Sequence, residues 1–256
     1  MRLFGLISQV CGIVGGVAIA ISAVPASATV LTFDMGPPDL VPNGVSMSLF
    51  SGYGDYVGAQ PQGLFTYGSG GGLTPNVQVL YGAGLHLGFS APLDPAHQFG
   101  DLTNVLYRDN TTPGPQQNTQ LIITLLADPG FQVCLMSFDL AVLLGENLPA
   151  RAVIVKDGSN NVLYDDVMPT IYGTLPPTHT SFVFDGSDPV QHPTLCAQSL
   201  TIDVDLSAVV GTSNKVPNFG IDNIKFSQIP PGIPGPGVLA TMVAGMGLLA
   251  TRRRRA

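Results

Sequence analysis

The side chains in this sequence that could do chemistry are mostly carboxylates. Among 256 residues there are four histidines, and Glu146 is the single glutamate against 16 aspartates. No G-x-S-x-G nucleophile elbow and no H-E-x-x-H zinc motif occurs in the sequence. The histidines lack metal-ligand spacing, and a glycosidase pair could be drawn from many aspartates. The sequence therefore predicts no catalytic residue, and no enzyme.

Calcium is a better chemical candidate, because it prefers carboxylate and carbonyl oxygens. In the strand-like run FGIDNIKF, residues 219–226, Asp222 alternates in step with Ile224 and Phe226. An inward-facing carboxylate must be hydrogen-bonded or bound to a cation. The first and last strands of a sandwich often adjoin, so Asp34 could lie near Asp222. Three interpretations remain open: a carboxylate that caps loop amides, a structural calcium site held by Asp34 and Asp222, or a ligand site.

A glycine-rich segment, residues 51–72, contains four aromatic residues: Tyr53, Tyr56, Phe65 and Tyr67. Aromatic rings on a loop can stack on a sugar or anchor a protein contact. The alternative is that these rings fold onto the edge of the domain. The sequence predicts a candidate ligand loop without deciding between the two.

Short apolar runs separated by Gly, Pro, Asn and Asp must position these residues. About ten such runs fill residues 30–228, and no stretch among them has a convincing helical period. Residues 200–206 alternate apolar and polar, which is typical of a strand packed on one side. Residues 120–127 are apolar on both faces, as in a central strand. The run DGSNN, residues 157–161, predicts a turn that joins residues 153–156 and 162–164 in a hairpin. We expect an all-β ectodomain over residues 29–228, an antiparallel two-sheet β-sandwich of jelly-roll-like connectivity.

The first 28 residues read as a signal peptide. Arg2 precedes an apolar stretch from about residue 10 to residue 24, and Ala26-Ser27-Ala28 is a small-x-small cleavage site. Sec-type export machinery and a signal peptidase are the partners expected for it. The alternative is an uncleaved N-terminal anchor.

Export would leave two of the three cysteines, since Cys11 lies in the signal. An even pair in an exported domain predicts a disulfide between Cys134 and Cys196. Cys134 alternates in step with Phe138 and Leu140, so the bridge is expected to face the core. The alternative is two buried free thiols.

The C-terminus carries a second predicted targeting segment. Residues 229–236, IPPGIPGP, form a rigid spacer, and residues 237–251 carry no charge before four terminal arginines. A helix of that length rises about 22 Å, against a hydrocarbon core of roughly 30 Å. We expect a single short transmembrane helix over residues 237–256, with its arginines in the cytoplasm.

This order resembles the PEP-CTERM sorting signal of exported Gram-negative bacterial proteins. The residues that carry the resemblance are Pro234, Gly235, Pro236, Arg252, Arg253, Arg254 and Arg255. Gly235 stands where the family usually has Glu. The resemblance implies retention in the inner membrane, then cleavage by an exosortase-like enzyme and transfer to the cell surface or matrix. A variant subfamily with its own sortase and a plain tail anchor both remain open. The run around Asp222 also looks like the last strand of many PEP-CTERM ectodomains and carbohydrate-binding-module-like sandwiches.

The net charge of the central domain limits the classes of partner that we expect. Without the two terminal segments, five basic residues face 17 acidic residues, a formal charge of −12. Such a charge opposes binding to nucleic acid. We expect a non-catalytic cell-surface or extracellular-matrix protein for adhesion or exopolysaccharide association. A lectin-like carbohydrate-binding module and a secreted polysaccharide-active hydrolase are the alternatives.

Overall fold

The structure is a computed structural model. It describes residues 28–33, 47–48, 52–58, 67, 71–89, 99–108, 120–143, 148–150, 152–173, 178–205 and 219–230. Within these ranges the regular structure is β-strand throughout. The strands are β1 (Thr29–Leu31), β2 (Met47–Ser48), β3 (Val77–Tyr81), β4 (Leu85–Phe89), β5 (Asn104–Arg108), β6 (Gln120–Ala127), β7 (Gln132–Val142), β8 (Leu148–Pro149), β9 (Ala152–Asp157), β10 (Val162–Val167), β11 (Thr170–Ile171), β12 (Thr180–Val183), β13 (Leu195–Ala197), β14 (Ser199–Asp205) and β15 (Phe219–Ile229).

The strands form two antiparallel sheets and a small β8–β11 pair. The larger sheet runs β12-β7-β15-β5-β4-β2, with β1 also on β15 and β13 also on β7. The smaller sheet runs β10-β9-β14-β6-β3. In the smaller sheet, β6 has a neighbouring strand on each side, as its two apolar faces predict. In the larger sheet, the first strand β1 pairs with the last strand β15, and Leu31 stands opposite Ile224. The all-β, two-sheet prediction is confirmed for the described residues.

One hydrophobic core joins the two sheets. Ile123 of β6 and Ile202 of β14, both fully buried, share a cluster with Phe138 of β7 and Phe226 of β15. Along β6 the buried residues recur at every second position, as the pleat of a strand requires. Burial of both inner faces against each other is the arrangement of a β-sandwich.

The β9–β10 hairpin that the sequence predicts is present, and its turn explains why. Asp157 Oδ1 accepts hydrogen bonds from the backbone N–H of Ser159 at 2.8 Å and of Asn161 at 2.9 Å. Asn160 adopts a left-handed φ of 64°, a conformation that Asn tolerates better than most residues. The side-chain contacts of Asp157 thus close the turn locally.

Two irregularities interrupt the long β7–β15 pair. One register shift lies between Asp222 and Lys225, and another lies between Lys225 and Phe226. A bulge inserts one residue and reverses the alternation of faces beyond it. Asp222 stands opposite Asp139, next to the core pair Ile221 and Leu140. The Asp222 carboxylate is therefore buried on the outer face of the sheet, and the predicted inward orientation is wrong.

The second irregularity, where Ser137 and Leu135 of β7 stand opposite the consecutive residues Lys225 and Phe226, changes the face of the disulfide. Cys134 and Cys196 are joined, and they stand directly opposite each other on β7 and β13. Their neighbours Val133, Leu135 and Leu195 belong to the core. The bridge consequently lies on the outer face, so the predicted pairing is confirmed and the predicted face is wrong.

A small second hydrophobic cluster covers part of that outer face. It contains Phe99, Leu102, Val105 and Ala141. A Cβ on Gly220 would lie 2.8 Å from atoms of both Phe99 and Val105, so only glycine permits this close approach. The cluster holds residues 99–103 over β15, next to Asp222.

The predicted terminal segments fall almost entirely outside the described residues. Of the signal peptide, residues 1–27 lie outside them, and so do the sorting motif and the C-terminal helix, from residue 231 onward. In the part of the chain that the structure describes, no helix has the length and apolarity needed to cross a membrane.

Candidate functional site at the β7–β15 bulge

Asp222 forms the centre of a polar cluster on the outer face of the larger sheet. The residue is 5% exposed, and its Oδ1 accepts a 2.7 Å hydrogen bond from the Asn223 backbone N–H. Asn223 has a φ of 52°, which belongs to the left-handed region that bulges often use. The bulge thus turns a backbone donor toward the carboxylate.

Asp139, opposite Asp222, is held by two side-chain donors. The Ser181 hydroxyl donates to Oδ1 at 2.7 Å, and the Asn223 amide donates to Oδ2 at 2.9 Å. Strand register places Ser181 opposite Asp139 on β12. These donors offset the cost of placing two carboxylates side by side.

His179 links Asp139 to the segment that covers the cluster. Its Nδ1 lies 2.7 Å from Asp101 Oδ1, and its Nε2 lies 3.7 Å from Asp139 Oδ1. The ring therefore lies between a carboxylate on the 99–103 segment and one on β7. The contact with Asp101 has hydrogen-bond length, whereas the distance to Asp139 is too long for a hydrogen bond.

Part of this cluster borders a cleft of about 400 Å³. The cleft is lined by Thr32, Asp101, Leu102, Thr103, His179, Asp222 and Asn223. Thr32 Oγ1 is buried, and it has no hydrogen-bond partner among the described residues. A buried hydroxyl without a partner is costly. The Thr32 hydroxyl is thus an available oxygen ligand or donor beside Asp222.

The arrangement does not have the geometry of a serine nucleophile site. In such a site the hydroxyl is bonded to the histidine that activates it. Here Ser181 donates to Asp139, and both nitrogens of His179 face carboxylates. Across the described residues, no group of three or more His, Cys, Asp or Glu side chains is arranged to hold a metal ion.

Two aromatic residues of the predicted ligand loop are internal. Tyr53 is fully buried and Tyr67 is 3% exposed, and both belong to the main core. The Tyr53 hydroxyl accepts a 2.9 Å hydrogen bond from the Phe33 N–H, and the Tyr67 hydroxyl accepts one of 3.2 Å from the Gly54 N–H. For Tyr53 and Tyr67, this agrees with the alternative that the loop aromatics fold onto the domain. Tyr56 is 44% exposed.

Several predicted site residues have no described position. Asp34, Phe65, and the sorting-motif residues at 234–236 and 252–255 lie outside the described residues. Among the described residues, Asp222 stands opposite Asp139 and shares a cleft with Asp101 and His179.

Those partners, Asp101, Asp139, His179 and Ser181, were not predicted, because strand pairing joins them across long stretches of sequence. The one local signal was the position of Asp139, a polar residue between buried Phe138 and Leu140. A polar residue there fits an ordinary outward-facing strand position equally well, so it did not point to a cluster.

Comparison with known proteins does not extend this description. No protein-family model matches the chain, and no curated protein matches it.

Proposed function

We propose that this chain is an exported protein of the cell surface or extracellular matrix, whose non-catalytic, jelly-roll-like β-sandwich serves adhesion or exopolysaccharide association. The C-terminal segment would hold it transiently in the inner membrane before an exosortase-like enzyme releases it. The sequence of the two ends and the chemistry of the described domain support this proposal.

The Cys134–Cys196 disulfide is the observation that carries the proposal. Structural disulfides persist in oxidising compartments and are rare in the cytosol. The bond joins neighbouring strands across 62 residues of sequence, and both cysteines lie within the proposed mature domain. This supports an exported domain independently of the terminal signals.

The polar cluster supports a structural role for Asp222. The carboxylates of Asp139 and Asp222 accept hydrogen bonds from strand and bulge donors. Such a network fixes the register of β7 and β15 at the bulge. It gives less support to the hydrolase alternative, because the hydroxyl of Ser181 is bonded to a carboxylate and not to His179.

We also propose that this cleft can hold a structural calcium ion. Asp222 and the unpartnered Thr32 hydroxyl line the same cleft, and Ca²⁺ takes several hard oxygen ligands. Leu31, three residues before Asp34, pairs with β15, so the first strand ends beside Asp222. Asp222, Thr32 and Asp34 are the residues that would contribute oxygen ligands.

Fractionation of native cells with intact-mass measurement tests the proposed function. We expect a chain that begins after Ala28, carries one disulfide, and is found in membrane and then surface or extracellular fractions. The extracellular form should also sediment with isolated matrix polysaccharide. Recovery of the full-length chain from cytosol, with Met1, the arginine tail and free thiols, would refute the proposal.

A further inference from the structure

A second cleft lies where the edges of the two sheets face each other. Strand β10 is at one edge of the smaller sheet, and β12 is at one edge of the larger sheet. The cleft has a volume of about 410 Å³ and is lined by residues 164–166, 180–183 and 190–192. Runs of consecutive residues line it, so it opens along the strand edges and does not lie over one sheet face. Its volume falls in the range of small-ligand sites, roughly 300–1,000 Å³.

Tyr164 supplies a fixed aromatic wall for this cleft. Its ring meets Phe182 edge-on with centroids 6.5 Å apart, and meets Phe184 at 5.0 Å, both at 79°. Burial raises the pKa of Tyr164 to about 12, and the charge of Asp166 adds to this. The hydroxyl therefore stays protonated and donates its hydrogen bond to Asp166. Packing on one side and this bond on the other fix the ring.

The 184–194 loop brings further polar groups to the cleft in a fixed conformation. Asp188 Oδ1 accepts hydrogen bonds from the backbone N–H groups of Val190 at 2.7 Å and Gln191 at 3.0 Å. His192 Nδ1 lies 3.0 Å from the carbonyl oxygen of Val183. A carbonyl can only accept, so Nδ1 carries the hydrogen, and in the neutral ring Nε2 is an acceptor. The Gln191 side chain contributes both a donor and an acceptor.

The chemistry of the lining selects a class of ligand. The carboxylates of Asp165 and Asp166 and the His192 ring offer acceptors, while Tyr164 and Val190 offer apolar surface. Val190 is 78% exposed. The described residues that line the cleft include no Lys or Arg, so an anionic ligand would meet repulsion from the two aspartates. A sugar combines many hydroxyl donors with apolar ring faces, which suit acceptors beside an aromatic wall.

We propose that this cleft binds neutral sugar units of a polysaccharide, with Asp165, Asp166, Gln191 and His192 bonding hydroxyl groups beside the Tyr164 ring. The assignment rests on the matrix-association function proposed above and names its binding site. None of the described residues of the 51–72 loop lines this cleft.

Titration calorimetry and a glycan array test this assignment on the mature, disulfide-bonded protein. The probes are neutral oligosaccharides of glucose, galactose, mannose and xylose, uronic-acid oligosaccharides, and a lysine-rich extended peptide. We expect binding to at least one neutral probe and to neither charged class. Asp166→Asn and Gln191→Ala should each weaken that binding about tenfold, the usual effect of losing a hydrogen bond to a charged or buried group. Asp128→Asn, the same charge change in the β6–β7 turn, and Tyr56→Ala in the first loop should leave it unchanged.

Three results would overturn the assignment: no binding to any neutral probe, preferred binding to the uronic-acid oligosaccharides or the lysine-rich peptide, or equal binding by wild type and by both cleft variants. Sedimentation with isolated matrix polysaccharide separates this failure from failure of the proposed function. If wild type and cleft variants sediment equally with matrix, the cleft is wrong and the function stands. If wild type does not sediment with matrix, both fail.

Discussion

Replacing both bridge cysteines, Cys134→Ala with Cys196→Ala, should strongly destabilise the domain. The bridge closes 62 residues of chain, and the loop-entropy relation gives about 4 kcal/mol for a loop of that length. Total stabilities of domains are roughly 5–15 kcal/mol. Removing the bond should therefore eliminate a large part of the stability, even though β7 and β13 remain paired in register.

The loss of stability should be concentrated around β13. That strand has three residues, and Leu195 is the one among them that is buried, at 2% exposure. Without the bridge, a short edge strand should open more readily than the eleven-residue β7. Residues 190–192 of the second cleft come just before β13, so sugar binding should weaken along with stability.

Urea unfolding and thermal melting, both followed by circular dichroism, measure the effect, and hydrogen exchange locates it. A domain of this size should lose roughly 8–16 °C in Tm for about 4 kcal/mol. Cys11→Ala in the precursor is the matched control, since it removes a cysteine that the mature chain would lack. A double-variant loss below about 1 kcal/mol, or uniform exchange across β7 and β13, would refute this reasoning.

Further predictions concern the bulge, the two clefts and the anchor. Gly220→Ala should cost about 1–3 kcal/mol in chemical unfolding, because a methyl group there would overlap Val105; an unchanged midpoint would contradict the packing of the outer cluster. A chelator should lower the Tm of wild type but not of Asp222→Asn if calcium binds; equal melting curves would leave hydrogen bonding alone at Asp222. Burial raises the pKa of Asp166, so ionisation of this carboxyl lowers the stability of the folded state. This loss of stability is absent below the ordinary pKa of aspartate, develops between the ordinary and the raised pKa, and is complete above the raised pKa. The Asp166→Asn variant should therefore have a higher Tm than wild type at pH 7 and the same Tm as wild type near pH 3. A lower Tm for the variant at pH 7 would be inconsistent with a raised pKa. Deleting Arg252–Arg255 should release the protein from the inner membrane, and unchanged fractionation would mean that the tail is not an anchor.

The local pattern of residues was sufficient for much of the fold. Alternation at 200–206 and the doubly apolar run at 120–127 predicted two strands that prove to be neighbours in one sheet, because a strand must bury the face that carries its apolar side chains. The turn at Asp157 and the pairing of Cys134 with Cys196 were also predicted. In each case the signal lies within a few residues or in a count of cysteines.

Which face a residue occupies was decided by the tertiary structure. The period of two holds only along an uninterrupted ladder, and the irregularities of the β7–β15 pair left Asp222 and Cys134 on the outer face. Nothing in the local composition marks a bulge, since the extra residue is accommodated by pairing with a strand distant in sequence. Tertiary contacts also decided the position of Tyr53 and Tyr67, since Tyr53 packs against both Phe33 and Tyr67.

Sequence alone determined that this chain is a β-rich, acidic body between two apolar ends, since composition and periodicity are properties of the chain itself. Only the tertiary structure could bring Asp101, Asp139, His179 and Asp222 together, or form a cleft between β10 and β12. Such sites depend on the register between strands distant in sequence, and register is fixed by the packing of the whole core.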